Sequence, residues 1–157
     1  MHTQITKNAI ASSEKPLGKA AIKILKKLIK LGNRKLERKM KAGKYYIGDP
    51  GYLFDDKTWE EIGVLTDYFN KSGIFNYKGF EFAGGHTAGG DGEFIDSKGY
   101  LYGVDAGCLA CLPIKMMLLC DVAPPTGSFR IVKFQHEFEV LIKEGVFKFG
   151  HVRINTR

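Results

Sequence analysis

"FRIVKFQHEFEVLIKEG", Phe129 to Gly145, is the stretch whose alternation decides the fold class. Phe134, His136, Phe138, Val140 and Ile142 fall on one side of an extended chain, and Lys133, Gln135, Glu137 and Glu139 on the other. A period of two marks a strand with one apolar and one polar face. Lys143-Glu144-Gly145 then turns the chain into "VFKFGHVRIN", which predicts a long antiparallel hairpin. A sheet with one wet face fits this alternation, with His136 semi-buried on the apolar side and His151 on the paired strand.

Working back from this hairpin, shorter strands are expected over residues 74–82, 93–96, 100–105 and 108–112, with "DSKGY" as a turn between the second and third. "KYYIGDPGYLF" reads as a strand entering a turn at Pro50-Gly51. "DDKTWEEIGVLTDYFNKSG" reads as a helix, with Thr58 and Glu61 as a capping box and Trp59, Ile62, Leu65, Tyr68 and Phe69 as its apolar stripe, ended by Gly73. Residues 45–157 are therefore expected to form an α+β domain, β-rich and mainly antiparallel, with one internal helix.

Ahead of it the chain changes character. Residues 19–44 hold eleven Lys or Arg and one acidic residue, Glu37. The net charge of +7 conceals +11 on residues 1–44 and −4 on residues 45–157. From Leu17 to about Met40 the pattern is helical. Ile22, Leu25, Ile29, Leu36 and Met40 share one face, and Lys19, Lys23, Lys26, Lys30, Arg34 and Lys41 lie opposite. Gly32-Asn33 is expected to bend or divide this helix. Residues 17–44 thus read as a basic amphipathic helical arm and residues 1–16 as a flexible N-terminus. A cleaved organelle-targeting peptide is also compatible with the latter, whereas a secretory signal lacks its apolar segment.

The rest of the composition narrows the field. At 44% apolar and 26% charged residues the chain is an ordinary soluble type, and it lacks the run of about 18 apolar residues that a spanning helix needs. Three cysteines, an odd number, suit a reducing compartment, so a cytoplasmic or virion-associated location is expected. Cys108 and Cys111 have CxxC spacing, but no second pair accompanies them, and on a strand they point to opposite faces. Small buried thiols are the expectation, with no metal and no cofactor. "GGHTAGGDGEFID" contains the candidate loop residues His86, Asp91 and Glu93, yet it lacks the phosphate-loop, dinucleotide and EF-hand patterns. Its glycines, Gly84, Gly85, Gly89 and Gly90, read as a flexible turn. Asp49 before Pro50, and Asp105 before Ala106-Gly107, are placed to accept backbone N–H groups at turns.

"YYIGDPGY", "GGDGEFIDSKGYLYGVDAGCLACLP" and "FKFGHVRINT", over about residues 45–155, resemble a pattern of small bacterial and phage proteins of unknown function. These share a G-D-P-x-Y opening and a later G-D-G…V-D-x-G…P segment. Gly51 stands where that pattern has a cysteine. The resemblance implies a compact β-rich domain of bacterial or viral origin and brings no activity with it.

The functional expectation rests on the arm. A helix face of one charge sign suits phosphates, with Lys23, Lys26, Lys27, Lys30, Arg34, Lys35 and Arg38 as contacts. A binding or assembly protein on nucleic acid, within a ribonucleoprotein or virion, is the preferred class. A membrane-active or secreted effector, using the arm on anionic lipid, is the alternative. A small nuclease-like hydrolase using His86, Asp91 or His136 is a third. The apolar stripe also calls for cover by the domain, by a partner or by a second copy. Burying it is worth on the order of 8–15 kcal/mol before ordering entropy.

Overall fold

A computed structural model describes residues 16–36, 38–120 and 122–157, with the side chains of 30–36 outside the description. The expected flexible N-terminus therefore lies outside the described residues, except for Pro16. The chain divides into two compact units, one ending at Leu36 and the other running from 37 to 157.

The first unit contains helix α1, Lys19–Leu36. Its first turn is closed by the Ile22 N–H donating to the Gly18 carbonyl at 3.1 Å. The helix passes through Gly32-Asn33 without a break, contrary to the expected division there. It also stops short of Met40. Arg38–Met40 is a strand, β1, and Met40 is fully buried in the core of the second unit. Pairing and burial of Met40 override the helical periodicity, so the expected arm boundary at 44 falls too late.

The second unit is α+β and layered. Its central sheet holds β2 (Gly43–Gly48), β3 (Gly73–Tyr77), β4 (Phe80–His86), β7 (Cys108–Pro113) and β8 (Arg130–Phe134), in the order β3-β4-β7-β2-β8, all antiparallel. A second sheet has the order β1-β9-β10-β11, with β9 at Phe138–Lys143, β10 at Val146–Phe149 and β11 at Val152–Asn155. A separate hairpin pairs β5 (Gly92–Ile95) with β6 (Leu101–Val104).

The alternation of β7 shows how the layers stack. Leu109 and Cys111 enter one core with Tyr45, Ile47 and Val132 of the central sheet and with Val140, Phe147 and Ile154 of the second sheet. Cys108, Ala110 and Leu112 enter another core, with Leu53, Ile62, Phe69 and Met116. That second core belongs to helix α2 (Asp56–Thr66) and the short 3-10 segments Pro50–Tyr52 and Ile114–Leu119. The central sheet is thus covered on both faces, which explains why "CLACL" is apolar throughout, while β9, β10 and β11 alternate buried and exposed residues and give the second sheet the expected wet face. The two thiols point to opposite cores, as their spacing implied.

Four local expectations are revised. Helix α2 is capped by Asp55, whose carboxylate accepts the Thr58 N–H at 2.6 Å, not by Thr58 itself. It ends at Thr66, seven residues before Gly73, because Asp67 takes the left-handed conformation that closes a helix. The strand expected over 74–82 is a hairpin. Lys78 and Gly79, at φ 49° and 86°, form the tight turn that suits strand twist, and Glu144-Gly145 repeats it between β9 and β10. Gly84 and Gly85 are buried strand residues of β4, not a flexible turn.

A further revision concerns the stretch that decided the fold. Its alternation holds, but the strand breaks at 135–137 and passes from one sheet to the other. Phe134 and Phe138 flank the break with rings stacked 3.7 Å apart, and Tyr45 meets both edge-on. Both phenylalanines face the same core, so the phase survives a corner that changes sheets. His136 lies in that corner and is exposed, not semi-buried.

Candidate functional site

Asp49 is a fully buried carboxylate of the β-rich unit that holds three backbone donors. It follows β2 in an extended conformation and is wholly buried. Its Oδ1 accepts the Gly51 N–H at 2.7 Å, and its Oδ2 accepts the N–H groups of Asp105 and Ala106 at 2.7 and 2.8 Å. Burial pushes the carboxyl above its ordinary pKa, and the three N–H donors offset that only in part. The Asx turn read at Pro50 is therefore present, and the same carboxylate also ties down the β6–β7 turn. Asp105 works differently from expectation: its Oδ2 accepts the Tyr52 hydroxyl at 2.7 Å. Burial, that bond and the nearby charges of Asp105, Asp49 and Asp91 raise the Tyr52 hydroxyl to about 12.

His86 and Asp91 approach the same turn. Nε2 of His86 and Oδ1 of Asp91 each lie 3.7 Å from the point where a Cβ on Gly107 would stand. His86 Nδ1 is 2.8 Å from the Thr87 carbonyl oxygen. A carbonyl only accepts, so in the neutral ring Nδ1 carries the proton and Nε2 presents its lone pair. The segments "GDPGY", "GGDG" and "VDAG" thus meet at one end of the central sheet. Glu93, the third candidate of this loop, is exposed on β5 opposite Gly103. His136 and His151 are also exposed, and the His151 ring lies 5.3 Å from that of Phe134. Among the described residues, no group of three or more His, Cys, Asp or Glu is placed to hold a metal ion. Asp49 spends both oxygens on backbone donors, so the cluster is built to fix turns. That leaves His86 and Asp91 as the exposed titratable pair at its surface.

The basic arm has the opposite construction. Helix α1 carries seven Lys or Arg and no Asp or Glu along its length. Lys19–Lys23, Lys23–Lys27 and Lys26–Lys30 are like charges at i, i+4, each costing about 0.2–0.5 kcal/mol. A cation rather than an anion also opens the first turn, where the helix dipole favours negative charge. Lys23, Lys26 and Lys27 are exposed, while the side chains of Lys30, Arg34 and Lys35 lie outside the described residues. The apolar stripe is exposed as well: Ile22, Leu25 and Ile29 are 42%, 44% and 61% accessible.

Arg38, grouped with the helix on the sequence, belongs to β1 in the folded unit. It is exposed, 4.0 Å from the Glu81 carboxylate. The basic run continues there in Lys39, Lys41 and Lys44, all exposed. Lys115, brought to the same region by the end of β7, carries no sequence signal that would single it out. Among the described residues no helix is long and apolar enough to cross a membrane. No protein-family model, curated protein or solved structure matches the chain.

Proposed function

We propose that this is a non-enzymatic binding or assembly protein that docks a β-rich domain on nucleic acid through its basic helix, inside a ribonucleoprotein or a virion. Lys23, Lys26, Lys27, Lys30, Arg34, Lys35 and Arg38 contact phosphate without reading bases. The observation that carries this reading is the single charge sign of helix α1, where Lys23, Lys26 and Lys27 are exposed and no Asp or Glu occurs along the helix. A ligand whose negative charge repeats along its length suits a helix face of one charge sign. Cytoplasm or virion interior is the setting that follows, and no cofactor is called for.

The test is fluorescence anisotropy of the full chain with labelled duplex and single-stranded oligonucleotides across a salt series. Lys23→Glu/Lys26→Glu/Lys27→Glu should weaken binding at least tenfold and flatten the salt dependence by about 2–3 units of log–log slope. Binding that persists unchanged in high salt, or in the triple variant, sinks the proposal.

A second reading, docking on an anionic membrane surface, is favoured by the exposure of Ile22, Leu25 and Ile29. There the stripe would enter the headgroup boundary, with each cation adding roughly 1 kcal/mol. Vesicles containing an anionic lipid that bind the chain and outcompete nucleic acid would move it to this class.

A further inference from the structure

The β-rich unit carries a second cationic feature, separate from the helix. A cleft of about 560 Å³ opens where the start of β2, the β3–β4 hairpin and the end of β7 meet. Lys41, Lys44 and Lys115 stand around it, all exposed. Phe80, Pro113 and Ile114 contribute half-buried apolar surface between them. Asn76 and Glu81, neighbours across the β3–β4 ladder, complete the lining with an amide and a carboxylate. The Asn76 oxygen already accepts the Gly79 N–H at 3.1 Å, which leaves its amide nitrogen to donate outward. Glu81 is the single acidic residue of the lining, and Arg38 stands 4.0 Å from it.

This concentration of cations is not background. Residues 37–157 are net −1, yet three lysines face one partly neutralised carboxylate here. A ligand that fits must put negative charge beside a flat apolar group within a few ångströms. The volume falls in the range of small-ligand pockets, roughly 300–1,000 Å³, and suits one or two nucleotides. A duplex keeps its base faces inside the stack and offers only phosphate. An acidic peptide offers charge without a flat apolar face.

We infer that this cleft takes the unpaired nucleotides of a single-stranded nucleic acid, with phosphates on Lys41, Lys44 and Lys115 and a base against Phe80, Pro113 and Ile114. Stacking on an apolar platform inside a cationic groove is how strands are held without sequence preference. The Asn76 amide and the Glu81 carboxylate add a donor and an acceptor for base edges. The inference rests on the nucleic-acid reading of the protein and sharpens it, since the helix alone does not distinguish strand from duplex.

The experiment uses the full chain with labelled oligo-dT, oligo-U and a duplex of equal length. Lys44 lies opposite Lys133 in the β2–β8 ladder, so a glutamate there relieves a like-charge pair and the fold tolerates it. Lys44→Glu/Lys115→Glu should weaken strand binding on the order of ten- to a hundredfold and reduce its salt slope by about 1.4 units, leaving duplex binding within about twofold. Phe80→Leu keeps apolar volume but removes the ring. It should weaken strand binding about fivefold or more with no change in salt slope.

Cleft variants that alter neither ligand overturn the inference and leave the helix reading standing. A helix triple variant that binds strand as tightly as the parent, with binding lost only on adding the cleft substitutions, supports the cleft and overturns the helix reading. Poly-glutamate that displaces the strand as well as unlabelled strand does would overturn the assignment and give the cleft to an acidic peptide.

Discussion

Helix α1 and the β-rich unit handle polar groups in opposite ways. In the β-rich unit, no buried side-chain nitrogen or oxygen among the described residues lacks a hydrogen-bond partner. Asp49 satisfies two turns, and Asp96 collects the N–H groups of Lys98 and Tyr100, the Tyr102 hydroxyl and the Arg130 guanidinium. Helix α1 has no Asp or Glu among its own residues for its seven cations, and its described residues Ile22, Leu25 and Ile29 are exposed. The β-rich unit answers its buried polar groups from within, whereas helix α1 carries cations with no Asp or Glu along its own length. The difference teaches where to look for a partner: at the helix, whose charges are of one sign.

Substitutions that remove an internal complement should therefore cost stability in the β-rich unit, and those in α1 should not. The largest effect is expected at Asp49. Asp49→Ala leaves three N–H groups without an acceptor and should lower unfolding stability by about 3–5 kcal/mol, read from urea melts. A loss below about 1 kcal/mol would mean that the two turns hold without the carboxylate, and the contrast would weaken.

Asp96 should matter less and show its sign through pH. Burial works to raise its carboxyl, but the Tyr102 hydroxyl, the two backbone N–H groups and the Arg130 charge outweigh it, so the net shift is downward. A carboxyl lowered in the folded state contributes stability above its unfolded value of about 4, and that contribution is lost as the pH falls through the folded value. Asp96→Asn should cost about 1–3 kcal/mol at neutral pH and make the acid limb of the stability curve shallower. An unchanged limb would show that other carboxylates govern acid unfolding.

The smallest effect is expected in the helix. Gly32→Ala should favour the helical state by about 1 kcal/mol, raising the far-ultraviolet helical signal while leaving the unfolding midpoint of the β-rich unit in place. A shifted midpoint would break the comparison, because it would tie the helix to the stability of the other unit.

The sequence made the architecture legible where one period ruled a whole element. The alternation of β8 and β9 and the start of the helix at Asp56 were visible that way, and β5, β6 and β7 showed as short runs between turn residues. It misled where an element ended for tertiary reasons. Phe134 and Phe138 keep phase because both enter one core, and nothing in "FQHEF" marks the change of sheet between them. Met40 keeps the phase of the helical stripe but is claimed by the core across from Phe138. Gly84 and Gly85 look like loop residues, yet a close approach requires them: a Cβ on Gly84 would stand 2.6 Å from the Phe69 ring. At the candidate site, the helix lysines were legible as a run. The cleft was not, because Lys115 joins Lys41 and Lys44 only through the pairing of β2 with β7.

That pairing has a consequence for how the chain is made. β2 lies inside the central sheet, and its Tyr45 pairs with Pro113 on one side and Val132 on the other. Emerging from the ribosome, "KYYIG" precedes both of its partners by most of the remaining chain, and a sheet so dependent on distant pairing closes late. Until then a short, strongly β-forming segment has two open edges. The cations before it, Lys39, Lys41 and Lys44, keep like segments on neighbouring nascent chains apart during that interval.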